Sequence, residues 1–228
     1  MVKRHPPQAR QLTIAVSVGP LTEGAPAMAT WKMKGRRHMR ALGAANKTRQ
    51  ANLARLPSDE GYTQSHLLLS RLVEKGEQDF TRSFSSPAAR AVLLNGIITA
   101  GLGLSIEIVP ELFHPQQDTE IGKAYARVIA TMASTDCTLR PHCAHTDWPA
   151  LREYGKTALV ALINQGIYNS GISLVTGHFP NLPLLFLAVV GGENTDLGKQ
   201  IIDTPLVETA GYTAIFEGHR FVNLQFDD

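Results

Sequence analysis

Along the chain, apolar positions recur at helical spacing early and at strand spacing late. Leu68, Leu72 and Val73 give one face to a predicted helix over 64–80, with Glu74 and Lys75 turned to solvent. Val92, Leu93, Ile97 and Ile98 repeat the pattern after Ser86-Pro87, which reads as N-cap and first helical residue. Gly101 and Gly103 stop that helix. The stretch 104–108 alternates like a strand with one buried face. Asp118 or Thr119 caps a third helix, whose inner face carries Ile121, Ala124, Tyr125, Val128, Ile129 and Met132. A polar loop spans 134–146, and Asp147 precedes a helix from Trp148 to about Asn164. From there the pattern predicts strands at 171–176, 184–190, 200–202, 214–216 and 221–226, punctuated by Gly177, Pro180, Gly191-Gly192, Gly211 and Gly218. Helices first and strands later predict an α+β fold, a helical half followed by a mostly antiparallel β region.

Charge changes this picture at the N-terminus. The first 56 residues hold eleven Lys or Arg and one acid, Glu23; the other 172 hold eleven Lys or Arg and nineteen acids. A formal net charge of +2 therefore hides a basic segment ahead of an acidic body. The reading divides the chain into a basic arm, 1–56, and a body, 57–228. Residues 30–56 form either a basic helix or an unstructured arm, with 57–61 as a turn or linker. Lys32, Lys34, Arg36, Arg37, Arg40, Lys47, Arg49 and Arg55 are the candidate contacts to a nucleic acid or another anionic surface. The competing reading is a solvated tail. Residues 1–27 are set apart from the fold: Lys3, Arg4, the weakly apolar 12–18 and the small residues 25–29 mimic a secretory leader, and Met28 is a second candidate start.

The chemistry-bearing residues make no case for an enzyme. Cys137, His142, Cys143 and His145 are ligand types suited to zinc, but all four fall within nine residues and two are adjacent, so no metal site is assigned. His66 and His114 read as solvated or locally bonded, and Glu107 and Glu111 lack a partner at a telling distance. No phosphate loop, Gly-x-Ser-x-Gly elbow or HExxH occurs, and no cofactor is expected. The longest apolar run, 182–190, is too short to span a membrane.

The succession of segments resembles the N-terminal half of lambda-type phage portal proteins. Asp79-Phe80-Thr81-Arg82, Ser86-Pro87-Ala88-Ala89-Arg90-Ala91-Val92 and Ala100-Gly101-Leu102-Gly103-Leu104 take the places of three family elements. Asp136-Cys137, Ser170-Gly171-Ile172-Ser173-Leu174-Val175, Ile201-Ile202-Asp203-Thr204-Pro205-Leu206 and Arg220-Phe221-Val222-Asn223-Leu224-Gln225-Phe226-Asp227 take four more. The resemblance covers roughly residues 65–228. It implies a wing-like body of a head-tail connector without stem or clip. It further implies a structural subunit of a homo-oligomeric ring, usually of twelve copies, at the capsid vertex through which DNA passes. Capsid protein, terminase and a neck or adaptor protein would be its partners, and the virion and the host cytoplasm its location. No catalysis and no membrane are implied. The alternative is a basic-armed nucleic-acid-binding protein that forms no ring.

Overall fold

The structure, a computed structural model, describes residues 29–43, 48–132, 137–169 and 171–227. The leader-like stretch 1–27, Lys47 and Asp136 lie outside the described residues. In chain order the elements are β1 (Thr30–Arg37), α1 (Arg49–Ala54), α2 (Asp59–Glu74), β2 (Arg82–Ser85), α3 (Ala89–Ile98), β3 (Ile106–Ile108) and α4 (Glu120–Thr131). They continue with α5 (Trp148–Asn164), β4 (Ile172–Gly177), α6 (Asn181–Val189), α7 (Asp196–Asp203), β5 (Gly211–Glu217) and β6 (Arg220–Asp227).

The strands form one mixed sheet in the order β3-β2-β4-β1-β5-β6. The neighbours β3-β2, β2-β4 and β4-β1 run parallel; β1-β5 and β5-β6 run antiparallel. Helices cover both faces. On one, Leu68 and Leu72 of α2, Leu94 and Ile98 of α3 and Leu174 of β4 share a core. On the other, Ala158 and Leu162 of α5, Leu182, Leu185 and Phe186 of α6 and Val175 of β4 share a second. Leu174 and Val175 are adjacent and point into opposite cores, as strand alternation requires. This is an α/β layering around a sheet with a parallel centre, not a helical half followed by an antiparallel half. No helix among the described residues is long and apolar enough to cross a membrane.

Two local misreadings explain most of that correction. Residues 30–37, assigned to an arm by their charge, are β1, inside the sheet between β4 and β5. Trp31 and Met33 face the second core, while Lys34 and Arg36 are buried beside carboxylates: Lys34 Nζ lies 2.6 Å from Glu77 and Arg36 Nη2 lies 3.2 Å from Asp227. A buried cation is tolerated where a carboxylate partners it, and such pairs hid the strand's alternation. Gly35 of this strand lies under the Phe186 ring, where a Cβ would come within 2.3 Å of the ring; that close approach brings α6 onto β1.

The predicted strands 184–190 and 200–202 are the helices α6 and α7. A short, continuously apolar run does not by itself separate a buried strand from a buried helix. Every residue of α6 from Asn181 to Leu187 is buried. Pro183, the third residue of α6, falls in the first turn, where a missing N–H costs nothing. The helices α4 and α5 and the strands β3, β4, β5 and β6 lie where the pattern predicts them, and the Thr119 hydroxyl caps α4 by accepting from the Gly122 N–H.

Candidate active site

The carboxyl ends of β1, β2 and β4 lie side by side, and in open α/β sheets ligands bind beyond the carboxyl ends of parallel strands. The β1–β4 ladder ends on the pair Arg37↔Gly177. One residue further, the His38 N–H donates to the Gly177 carbonyl at 2.9 Å, so His38 and His178 emerge from neighbouring strands together. Their rings lie 4.6 Å apart, centroid to centroid. On the other side of β4, the Ser86 N–H donates to the Thr176 carbonyl at 2.9 Å, which brings Ser86 to the same edge.

Arg90 enters from the first turn of α3. A buried polar cluster sets that helix: Asn95 Nδ2 donates to the Phe84 carbonyl at 2.9 Å and to Thr176 Oγ1 at 3.2 Å, and Thr176 Oγ1 donates to the Ala91 carbonyl at 3.1 Å. The residues read as cap and first turn play another part. The α3 N-cap is Ala88, without a side-chain bond, and the Ser86 hydroxyl bonds His178 Nε2 at 2.6 Å.

Hydrogen-bond partners assign both imidazoles. Arg90 Nη2 has only N–H to offer, so it donates to His178 Nδ1 at 3.2 Å, and His178 Nε2–H donates to the Ser86 oxygen. His38 Nδ1 lies 2.6 Å from the Met39 carbonyl, which only accepts, so Nδ1 carries the proton. The Nε2 lone pair of His38 is left bare, engaged by no hydrogen bond among the described residues. Burial, then Arg90 and Arg37, hold the His38 pKa well below the usual histidine range. Burial, then the His38 and Arg90 neighbours, do the same for His178. His114 follows the 3-10 turn after β3 and stacks on Phe113 at 4.5 Å. Burial, then Arg90 and Arg49, lower its pKa to about 4.

Four guanidinium groups surround these neutral rings. Arg90 is 5% exposed, donates through Nη1 to the Asn52 carbonyl at 2.7 Å, and forms no ion pair among the described residues. Burial, then the Arg55 and Arg37 charges, pull its pKa down to about 10. Arg37 donates to the Leu206 carbonyl and, at 3.4 Å, to Cys137 Sγ, with Glu208 3.7 Å away. Arg55 donates to the Gly43 carbonyl. Arg49 Nε donates to the His114 carbonyl at 3.1 Å. The Nε atoms of Arg37, Arg55 and Arg90 are buried without a hydrogen-bond partner. Buried cations short of acceptors are the complement of a bound oxyanion. Beside His114 opens a cleft of about 310 Å³, lined by Arg49, Glu111, His114, Ile121 and Tyr154 among others.

Of the eight cations proposed as anion contacts, Arg37, Arg49 and Arg55 stand at this centre. Lys34 and Arg36 are buried beside Glu77 and Asp227, Lys32 lies in β1, and Arg40 is exposed and pairs with Glu60 at 2.7 Å. Lys47 lies outside the described residues. The Cys/His loop does not converge: Cys137 Sγ meets Arg37, His142 Nδ1 lies 3.4 Å from Thr131 Oγ1, Cys143 donates to the Leu139 carbonyl, and His145 Nδ1 accepts from the Asp147 N–H. No group of three or more such side chains able to hold a metal occurs among the described residues. His38, Ser86, Arg90 and His178 were not found by sequence reasoning, and His114 and Glu111 were set aside. The available signal was a repeat of one local event: a strand ending Gly-Arg-Arg-His at 35–38 and another ending Val-Thr-Gly-His at 175–178.

No family model matches the chain, and no curated protein matches it. Solved structures do match. A phosphoserine phosphatase from Entamoeba histolytica in complex with 3-phosphoglyceric acid has a TM-score of 0.59 at 17% identity, over 86% of this chain and 96% of that one. The alpha-ribazole phosphatase from Shigella flexneri gives 0.59 at 14%, over 86% and 95%. A phosphoglycerate mutase from Bacillus anthracis gives 0.56 at 15%, over 86% and 92%. At such identities the likeness is one of fold: a mixed α/β fold with a six-stranded sheet, shared with phosphoglycerate mutase-like histidine phosphatases. It overturns the portal resemblance, whose wing-like architecture is absent, and the structural, non-catalytic role drawn from that resemblance loses its support. The alternative of a basic-armed nucleic-acid binder is also unsupported, because β1 takes four of its eight proposed contacts, Lys32, Lys34, Arg36 and Arg37, into the sheet.

Proposed function

We propose that this chain is a phosphomonoester phosphatase that works through a phosphohistidine on His38. One observation carries the reading: a neutral imidazole with a bare Nε2 lies among guanidinium groups of which Arg90 has no carboxylate partner among the described residues. The solved phosphatases of the same fold support it.

The chemistry follows from the tautomers. His38 Nε2 attacks phosphorus, the P–N bond forms, and the P–O bond to the alcohol breaks with its electron pair leaving on oxygen. The imidazole becomes cationic as it is phosphorylated, and the Met39 carbonyl on Nδ1–H stabilises that charge. Arg90 and Arg37 neutralise the phosphoryl oxygens, and in a water-poor site such preorganised charges act strongly. Glu111, in the adjoining cleft, is the carboxyl placed to protonate the leaving oxygen. In the second step a water attacks phosphorus, Glu111 takes its proton, and the P–N pair returns to His38. Phosphate leaves, and the enzyme is restored. His178 and Ser86 aim Arg90 through the bonds at 3.2 and 2.6 Å.

The test is hydrolysis of p-nitrophenyl phosphate by the wild type and by His38→Ala. The reading predicts measurable turnover lost by at least about a thousandfold in the variant, the scale of removing a nucleophile. Equal rates for the two proteins, or no turnover by the wild type, contradict it.

A further inference from the structure

Glu111 has no side-chain partner to hold it in place. It sits in the 3-10 turn Pro110–Leu112, and its carboxyl makes no hydrogen bond or ion pair among the described residues. Its position therefore depends on the backbone beneath it. Ahead of the turn, the Val109 N–H donates to the Ser85 carbonyl at 2.8 Å, which ties that end to β2. Behind it, the Phe113 carbonyl takes two side-chain donors from two helices. These are the Tyr154 hydroxyl of α5 at 2.5 Å and Asn181 Nδ2 of α6 at 2.8 Å. A carbonyl only accepts, which assigns the amide of Asn181. Its Oδ1 is then free to accept from the Tyr125 hydroxyl of α4 at 2.5 Å. The Asn181 side chain, 2% exposed, is thus held from both ends.

Asn181 is also joined to the histidine pair. It opens α6 three residues after His178, and the Leu182 N–H of the same turn donates to the His178 carbonyl at 2.7 Å. One amide therefore connects the strand end that carries His178 to the turn that carries Glu111. We infer that Asn181 is a positioning residue: with Tyr154 it clamps the Phe113 carbonyl and so fixes where Glu111 stands relative to His38. This rests on the phosphatase reading above, with Glu111 as the acid. A displacement of about 1 Å at a reacting group costs about a hundredfold in rate, so a clamp two residues from the acid bears directly on proton transfer.

The experiment measures kcat/KM for p-nitrophenyl phosphate and phenyl phosphate, two aryl esters that differ in their need for an acid. Nitrophenolate leaves without a proton, whereas phenolate, the anion of an acid with a pKa of about 10, needs one. In Asn181→Leu the value for phenyl phosphate should fall by about tenfold or more, while that for p-nitrophenyl phosphate stays within about threefold. Tyr154→Phe, which keeps the ring and removes the second donor, should show the same split more weakly. Glu111→Gln should show it most strongly, by about a hundredfold. Adding Asn181→Leu to Glu111→Gln should cost phenyl phosphate nothing further, because residues acting through one group are not additive. Thermal melts establish that the variants fold; if Asn181→Leu does not, Tyr154→Phe decides by the same criteria. Equal losses on the two esters, or losses that multiply in the double variant, mean that the clamp serves only the fold and overturn this inference alone. Glu111→Gln without a split overturns the acid assignment and the inference with it. A wild type that does not hydrolyse p-nitrophenyl phosphate overturns the phosphatase reading itself.

Discussion

Arg37 faces Gly177 across the parallel β1–β4 ladder, and from that single register pair follows the meeting of His38 with His178. A slip of one residue would turn each histidine to the other face of its strand. The site is thus a consequence of strand pairing, built on rigid elements.

Arg90 is the clearest conflict between stability and function. A buried guanidinium without a carboxylate weakens the fold; its pKa, pulled to about 10 from 12.5, corresponds to a cost on the order of 3 kcal/mol. Arg90→Met is therefore expected to lower kcat by about 10²–10³-fold, the effect of losing one preorganised donor, while leaving the melting temperature unchanged or raised. Calorimetry beside steady-state kinetics checks both; a large loss of stability would mean that Arg90 braces the fold instead.

The three histidines give the fold a pH dependence. Each has a folded pKa below its unfolded value, so the unfolded state binds more protons once the pH drops below about 6.5. Stability is fully present above that value and is lost as pH falls, through about 4 for His114 and through values well below the usual histidine range for His38 and His178. Each contributes at most about 1.4 kcal/mol per pH unit. Urea melts at pH 7, 6 and 5 should show a steep decline that Arg90→Met makes shallower by easing histidine protonation. A flat profile across that window contradicts burial of neutral imidazoles.

Asn95 joins α3 to two strands through a side chain that is fully buried. Asn95→Leu removes the 2.9 Å donor from the Phe84 carbonyl, leaving it the longer 3.5 Å bond from Thr176 Oγ1, and should cost about 1–3 kcal/mol. Leu94→Ala and Ile98→Ala, in the same helix and both 0% exposed, should cost about 2–5 kcal/mol each. Ser86→Ala should behave differently from a lost helix cap: its cost belongs to His178 and appears in kcat. Urea melts paired with kinetics separate these variants; a helix-cap-sized stability loss for Ser86→Ala with kcat intact would contradict the assignment.

Several single elements were legible, but the fold class and the site were not, for reasons visible in particular residues. The stripes of α4 and α5 are written in side chains that face either core or water. In β1 the signal fails because Lys34 and Arg36 are buried beside acids that lie 43 and 191 residues away in the chain. In α6 it fails because the helix is buried on all sides. The site draws single residues from three strand ends and a helix start, so no compact motif announces it. His38 and His178 are 140 residues apart and become partners only through the parallel register. The charge that suggested an arm was partly a misplaced sign of the site: Arg37, Arg49 and Arg55 surround the histidine centre.

Phosphohistidine formation tests the central claim most directly. Incubation with a ³²P-labelled phosphomonoester and rapid quenching in alkali should trap label on the protein. The bond should be stable to base and labile to acid, and mass spectrometry should place it on His38. Arg90→Met should accumulate less of it, and His38→Ala none. Label found on a serine or on another histidine, or turnover with no label under any quench, would contradict the assignment of His38 as nucleophile.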